Sequence, residues 1–283
     1  MIASLPLSRR FQWIYAAYVL IFFVYLAAPL LVVGVFAFND SRFPALPWQG
    51  FTLDWFIADG DGRTGLFHDR AILHSVGTSA LVASCVTVLS VSLATMNAFL
   101  FERHVFPGKN LLFILMLLPL VIPGVILGIS ILIFASRIAN YFDFNHDIML
   151  DMLRPGLLLV VLGQFAFLTT IATLVISARL RTFDMQLEEA ACNLGASPLT
   201  AVRTVTLPFL APAIIGAALV CFLMSFENFN TTLMLVGSDA PLTITLFSRL
   251  REGATPVLNA VSLLLMVGSM LLALISIRVQ KKA

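Results

Sequence analysis

What this chain has least of is charge. Lys, Arg, Asp and Glu together make 11% of its 283 residues, against about a quarter in soluble domains, and that shortage excludes an ordinary water-soluble fold. Cysteine is almost as rare. Cys85, Cys192 and Cys221 are the only three. With two in apolar runs and one in a polar segment, they exclude a disulfide framework and read as small buried apolar residues. Catalytic signatures are missing too. The nearest text to a phosphate-binding loop is FPGKN, Phe106–Asn110, but Arg103 stands where the first glycine of such a loop belongs. His68, His74, His104 and His146 show no metal-ligand spacing with one another or with cysteine. The run DGDGR at Asp59–Arg63 begins like a calcium loop, yet Arg63 and Arg70 fall on two ligand positions, which rules that site out. Neither G-x-S-x-G nor H-E-x-x-H occurs. The chain is therefore not expected to be an enzyme, nor to hold a metal or cofactor of its own, and nothing in it points to nucleic acid.

What it has instead is hydrocarbon. Hydrophobic residues make 60% of the chain, and the mean hydropathy is +0.99, values that belong to an integral membrane protein. A bilayer core needs about 20 apolar residues per helix. Six stretches reach that length with at most one formal charge: Gln12–Phe38, Ala71–Phe101, Leu111–Ser136, Pro155–Ala178, Phe209–Val236 and Gly253–Ile277. They show no period-2 alternation, so they read as helices and not barrel strands. Arg9 and Arg10 precede the first one as they would in a signal peptide. Its apolar run is too long for that, and no small-residue cleavage site closes it, so an uncleaved helix is expected.

Six spans put both termini on one side. Ten of the 17 basic residues fall there, including Arg103 and Lys109 in a short loop, as well as Lys281 and Lys282. Basic residues gather on the cytoplasmic side, so both ends are expected in the cytoplasm. The expected fold class is all-α, six transmembrane helices in a single membrane domain over residues 1–283. The Asn39–Arg70 loop carries Trp48 and Trp55, suited to a membrane interface. In the third span, Pro119, Pro123, Gly124 and Gly128 come close together. Proline bends a helix and frees a carbonyl, while Gly124 and Gly128 allow another helix to approach. Helix packing and a kink lining a pathway are both compatible with this run.

One segment departs from the apolar pattern: EEAACNLGASPLTAVRTVTLPFLAP, Glu188–Pro212, most of it in the connection 179–208. Asp184 can cap a helix whose apolar residues Leu187, Ala190, Ala191 and Leu194 recur at i, i+3, i+4 and i+7, with Glu188 and Glu189 largely off that stripe. Gly195 suits a left-handed helix end. Ser197-Pro198 restarts a helix, Ser as cap and Pro at its first position. Thr206-Leu207-Pro208 then hands the chain to the fifth span. Two short helices with a sharp turn are expected on the cytoplasmic face. Such a hairpin can simply cover the inner end of the bundle.

The spacing carries more information. Glu189-Ala190-Ala191, three residues, Gly195, nine residues, then Val205-x-Leu207-Pro208 resembles the EAA loop of ABC importer permeases, E-A-A-x3-G-x9-I-x-L-P, departing only by Val205 for Ile. The resemblance extends over nearly the whole chain and is closest to the spermidine/putrescine permease group, through AFND at Ala37–Asp40, FTLDWF at Phe51–Phe56, PLVIPGVILGISIL from Pro119 and SFENFNTT at Ser225–Thr232. It implies a type I importer fold and an ATPase-coupling role for Glu188, Glu189, Ala190, Ala191, Gly195, Ala196, Val205, Leu207 and Pro208. It also implies a second, similar permease subunit and two ATP-binding subunits that carry ATP and Mg. A periplasmic or lipid-anchored solute-binding protein and a location in the bacterial inner membrane complete the picture. Alternating access is the implied mechanism.

The resemblance implies a polyamine such as putrescine or spermidine as cargo, with phosphonate, opine, iron and thiamine importers sharing much of the pattern. Two departures bear on this. Relatives often carry two adjacent acids where this chain has Glu227-Asn228, and often His where it has Gln164. Glu227 is the one acid inside a span, where a charge costs about 2.5–3.5 kcal/mol on insertion scales, so it should face protein or water. At helical spacing Asn230 and Thr231 share its face, and Phe226 can add a cation–π contact. With Gln164 and Pro123 these residues form the expected substrate pathway. Glu227 can equally serve as a gate or bond to the partner permease. A secondary transporter or channel is the reading from a different class, and it calls for several intramembrane ionisable groups or a midplane pair of broken helices.

Overall fold

The computed structural model describes residues 9–281 apart from 45, 61 and 254; Lys282 and Asp61, named above, lie outside the described residues. In lipid every backbone N–H and C=O must be satisfied within its own segment, so the apolar runs become helices. In chain order the α-helices among the described residues are α1 (Arg9–Phe36), α2 (Asp54–Ile57), α3 (Arg70–Arg103), α4 (Lys109–Val121), α5 (Gly124–His146), α6 (Leu157–Leu180), α7 (Gln186–Asn193), α8 (Pro198–Ala201), α9 (Leu207–Phe226), α10 (Asn230–Leu235), α11 (Leu242–Glu252) and α12 (Pro256–Lys281). Among the described residues six helices are long and apolar enough to cross a membrane: α1, α3, α5, α6, the continuous run Pro198–Phe226, and α12.

Two spans differ from expectation. Leu111–Ser136 is not one helix. It is α4 and α5, parted at Ile122-Pro123, where both residues leave the helical region. Pro123 has no N–H to give, and Gly124 starts the next helix. α5 then runs past Ser136 and takes Arg137 inside it. Phe209–Val236 is also broken: α9 ends at Phe226 and α10 starts at Asn230.

Contacts gather the chain into two compact units where a single domain is expected. One combines α1, the loop up to Asp69 and Arg249–Val267. Here the Trp55 indole is 5% exposed and its N–H donates to the Asn39 carbonyl at 2.8 Å. Its polar handle is thus used inside the loop, while Trp48 is exposed. Arg63, which spoils the calcium-like run, bonds to Asp40 and Asp54 and lies 5.1 Å above the Trp55 ring. Hydrogen bonding to Asp40 holds its guanidinium above the ordinary arginine range. Asp69 and Arg249 form a two-bond ion pair in the same unit.

The other unit holds Arg70–Ser248 and the end of α12 from Gly268. α6 is apolar on all sides and more deeply buried than the other spans, as suits a helix surrounded by protein. α3 and α9 pack against it. The inward positions of α3 include Ser75, Ser79, Ala83, Ser90, Ala94 and Ala98, small residues that let backbones approach where no hydrophobic force drives helices together. Cys221 is buried in this core, as expected. Cys85 and Cys192 are exposed on the chain, contrary to expectation.

Candidate functional site

The segment 184–208 folds around its turn. Asp184 Oδ1 accepts the Gln186 N–H at 3.0 Å, opening α7. At the other end Gly195 has φ +94°. Its N–H goes to Cys192 O at 2.9 Å, and the Ala196 N–H goes to Ala191 O at 3.1 Å. That pair of bonds is a Schellman closure, and it needs the left-handed residue that glycine supplies. Ser197 Oγ accepts the Thr200 N–H at 3.2 Å with Pro198 at the first helical position. The expected caps are all present.

The second helix is not short, however. α8 continues through a π turn, Val202–Thr206, into α9 without leaving the helical region. Pro208 has no N–H for Thr204, and the wider turn, closed by the Leu207 N–H on Val202 O, comes immediately before it. Thr206-Leu207-Pro208 is thus a continuation and not a break.

The apolar stripe of α7 is mostly turned away from the chain, with Ala191 alone of its four residues half-buried. Leu187 and Leu194 are 51% and 90% exposed, and Glu189 and Ala190 are exposed as well. Glu188 is the residue turned inward. Its Oε2 accepts from Arg103 Nη1 at 2.8 Å, with the two side chains 13% and 14% exposed, and its Oε1 accepts the Thr206 hydroxyl. The Arg103 guanidinium lies 4.8 Å from the Phe99 ring and 5.6 Å from the Phe183 ring. Its Nε and Nη2 are buried with no hydrogen-bond partner among the described residues. Beside it Arg181 Nε meets Glu102 Oε2 at 2.8 Å, and that hydrogen bond raises the Arg181 pKa. Val205 packs on the core, Ala191, Ala196 and Leu207 are half-buried, and Pro208 is exposed. Arg103 and Thr206 were not legible as site residues, since their partner is far along the chain.

The two helix breaks meet. A cavity of about 240 Å³ lies where the α4–α5 break faces the α9–α10 break, lined by Pro119, Ile122, Gly124, Phe167, Met224, Asn228, Asn230 and Thr231 among others. A Cβ on Gly124 would come 3.1 Å from Asn230 Cβ, and one on Gly128 would come 3.0 Å from Met234 Cβ. The close approach expected of these glycines is therefore made by α10. Pro123 is exposed and shapes the break without lining the cavity.

Of the remaining pathway residues, Asn228, Asn230 and Thr231 reach the cavity wall; Glu227, Phe226 and Gln164 do not. The helical spacing that joined Glu227 to Asn230 and Thr231 does not apply across the break. Glu227 is exposed, and its carboxylate bonds to no described residue. Phe226 stacks on Phe222 at 6.0 Å. Gln164 is 1% exposed: Nε2 donates to Thr232 Oγ1 at 2.9 Å, and Oε1 accepts the Ser225 hydroxyl. Asn228 Oδ1 accepts the Thr232 N–H at 3.3 Å and its hydroxyl at 3.0 Å, so an amide side chain stands in for the missing helix bonds.

Residues 87–282 match the family described as binding-protein-dependent transport system inner membrane component. The chain belongs to this family. The permease is accordingly a multi-pass component of the inner membrane. It is 32% identical over 246 residues to the putrescine transport system permease protein PotI of Escherichia coli (strain K12), covering 86% of this chain and 82% of that one. To the spermidine/putrescine transport system permease protein PotC of Haemophilus influenzae it is 25% identical over 267 residues, 94% and 96% of the two chains. Its fold matches a chain from the crystal structure of a bacterial alginate ABC transporter in complex with an alginate pentasaccharide-bound periplasmic protein. The TM-score is 0.72 and the identity 17%, covering 95% of this chain and 93% of that one. Helix breaks face one another in this permease, and family membership is what separates it from a secondary transporter.

Proposed function

We propose that this permease is one of two similar transmembrane subunits of an ATP-driven, binding-protein-dependent importer whose cargo is a polyamine such as putrescine or spermidine. Two ATP-binding subunits supply ATP and Mg from the cytoplasm, where both termini of this chain lie, and a solute-binding protein delivers cargo from outside. The observation that carries the reading is the module 184–208: two capped helices about a glycine turn, with Leu187, Leu194 and Leu199 held out from the chain. A soluble subunit seated on that face moves the segment when ATP closes the motor. The cargo assignment is supported by the similarity to putrescine and spermidine permeases over more than four-fifths of the chain.

The cavity wall carries amide and hydroxyl groups and the Phe167 ring but no acid among its lining residues. A diammonium cargo there is met by carbonyl-type oxygens and a ring face, while Glu227 acts outside the cavity as an entry contact or against the sister subunit. The test is ATP-dependent uptake of labelled putrescine and spermidine into proteoliposomes holding the complete transporter, with Glu227→Gln beside the parent. Saturable uptake that needs the binding protein is expected. Uptake that falls in the variant places Glu227 on the route, and unchanged uptake makes it structural. Cargo-stimulated ATPase with another solute and no polyamine uptake overturns the cargo assignment.

A further inference from the structure

We propose that Arg103 and Thr206 are positioning residues for energy coupling, acting through Glu188 to tie the end of α3 and the base of α9 to α7. The inference rests on the coupling role of 184–208 proposed above. Two adjacent acids, Glu188 and Glu189, divide the work. Glu189 is exposed and turned outward, whereas both carboxylate oxygens of Glu188 are spent within the chain, one on Arg103 and one on Thr206.

The three anchor points lie on separate pieces of chain. Arg103 closes α3, 85 residues from Glu188, and Thr206 closes the π turn 18 residues beyond it. No backbone hydrogen bond joins α7 to the end of α3 among those described. The Glu188 carboxylate is the shared point at which displacement of α7 reaches both spans together.

The chemistry of Arg103 makes the tie stiff. Its guanidinium is mostly buried, sits against two phenylalanine rings, and has a single ion-pair partner among the described residues. Nε and Nη2 find no acceptor among the described residues. Removing Glu188 would leave a buried cation with nothing to pair with, which is far more costly than losing an exposed pair. Arg181–Glu102, close by, is the contrast: Arg181 is 63% exposed, and such a pair contributes little.

The test uses the complete transporter in proteoliposomes and reads cargo imported per ATP hydrolysed, together with recovery of the ATP-binding subunits on the purified membrane complex. Arg103→Met should keep those subunits bound yet lower cargo per ATP about five-fold or more, the scale of a coupling free energy. Arg103→Glu combined with Glu188→Arg should recover part of the loss, which assigns it to the pair; a merely structural role would lower subunit recovery and leave cargo per ATP unchanged. Should Arg103→Met fail to assemble, Thr206→Val decides, since it removes one hydroxyl at nearly constant volume and should also lower the ratio. Cargo per ATP at the parent value in Thr206→Val, or in an assembled Arg103→Met, overturns the proposal. Loss of the exposed contact is separable: if Leu194→Asp leaves ATP-subunit recovery and coupling untouched, the coupling role of 184–208 itself fails, whatever Arg103 does.

Discussion

Replacing Gln164 by Leu separates a role in holding the helix break from a role in touching cargo. The amide joins α6 to Ser225 at the end of α9 and to Thr232 in α10. Leu has nearly the same volume, so no large cavity opens, and the cost is that of two buried side-chain hydrogen bonds. Within membranes these average about 0.6 kcal/mol each and reach about 1.7. Thr232 keeps its bond to Asn228, and Ser225 can turn to a carbonyl of its own helix at little cost. The loss should therefore be about 1–2 kcal/mol. Denaturation of the reconstituted protein in bicelles measures it. A cycle with Ser225→Ala should return a coupling of about 0.5–1.5 kcal/mol, since the two residues share one bond. Cargo KM in the surviving complex should stay at the parent value. A several-fold rise in KM with stability unchanged would refute this reasoning and put Gln164 on the cargo route.

Gly195→Ala should cost about 1–2 kcal/mol through the left-handed backbone alone, because nothing crowds its Cβ position. It should weaken recovery of the ATP-binding subunits while leaving the spans folded, as a pull-down with circular dichroism checks. Gly124→Val puts a branched side chain against Asn230 and Thr231 at 3.1–3.2 Å. It should cost about 1–3 kcal/mol, narrow the cavity and lower uptake more than ATPase, measured side by side in proteoliposomes.

The spans were legible because hydropathy over about 20 residues is a strong and purely local signal. The caps at Asp184, Gly195 and Ser197 were legible for the same reason, since each is set by a residue and its neighbours within three or four positions. The orientation of α7 was not. The stripe of Leu187, Ala190, Ala191 and Leu194 gives a period but does not say which way it faces. Here Arg103 holds Glu188 inward, and Leu187, Ala190 and Leu194 are exposed. No local period reports a partner 85 residues away. The break at 227–229 was hidden in a similar way, because Asn228, between the two helices, supports the second with a side chain that also occurs inside apolar helices. The α4–α5 break was half legible: Pro123 announced a bend, but whether the helix would kink or part depends on what packs at Gly124.

The π turn at Val202–Thr206 has one further consequence. Because the helix never stops between Pro198 and Phe226, these 29 residues form one rod about 44 Å long at 1.5 Å per residue. Its near end is the glycine turn and its far end is the break beside the cavity. A tilt of about 5° about the near end carries the far end sideways by about 4 Å, more than the diameter of a water molecule. A hinge at Thr206-Leu207-Pro208 would absorb such a tilt before it reached the far end.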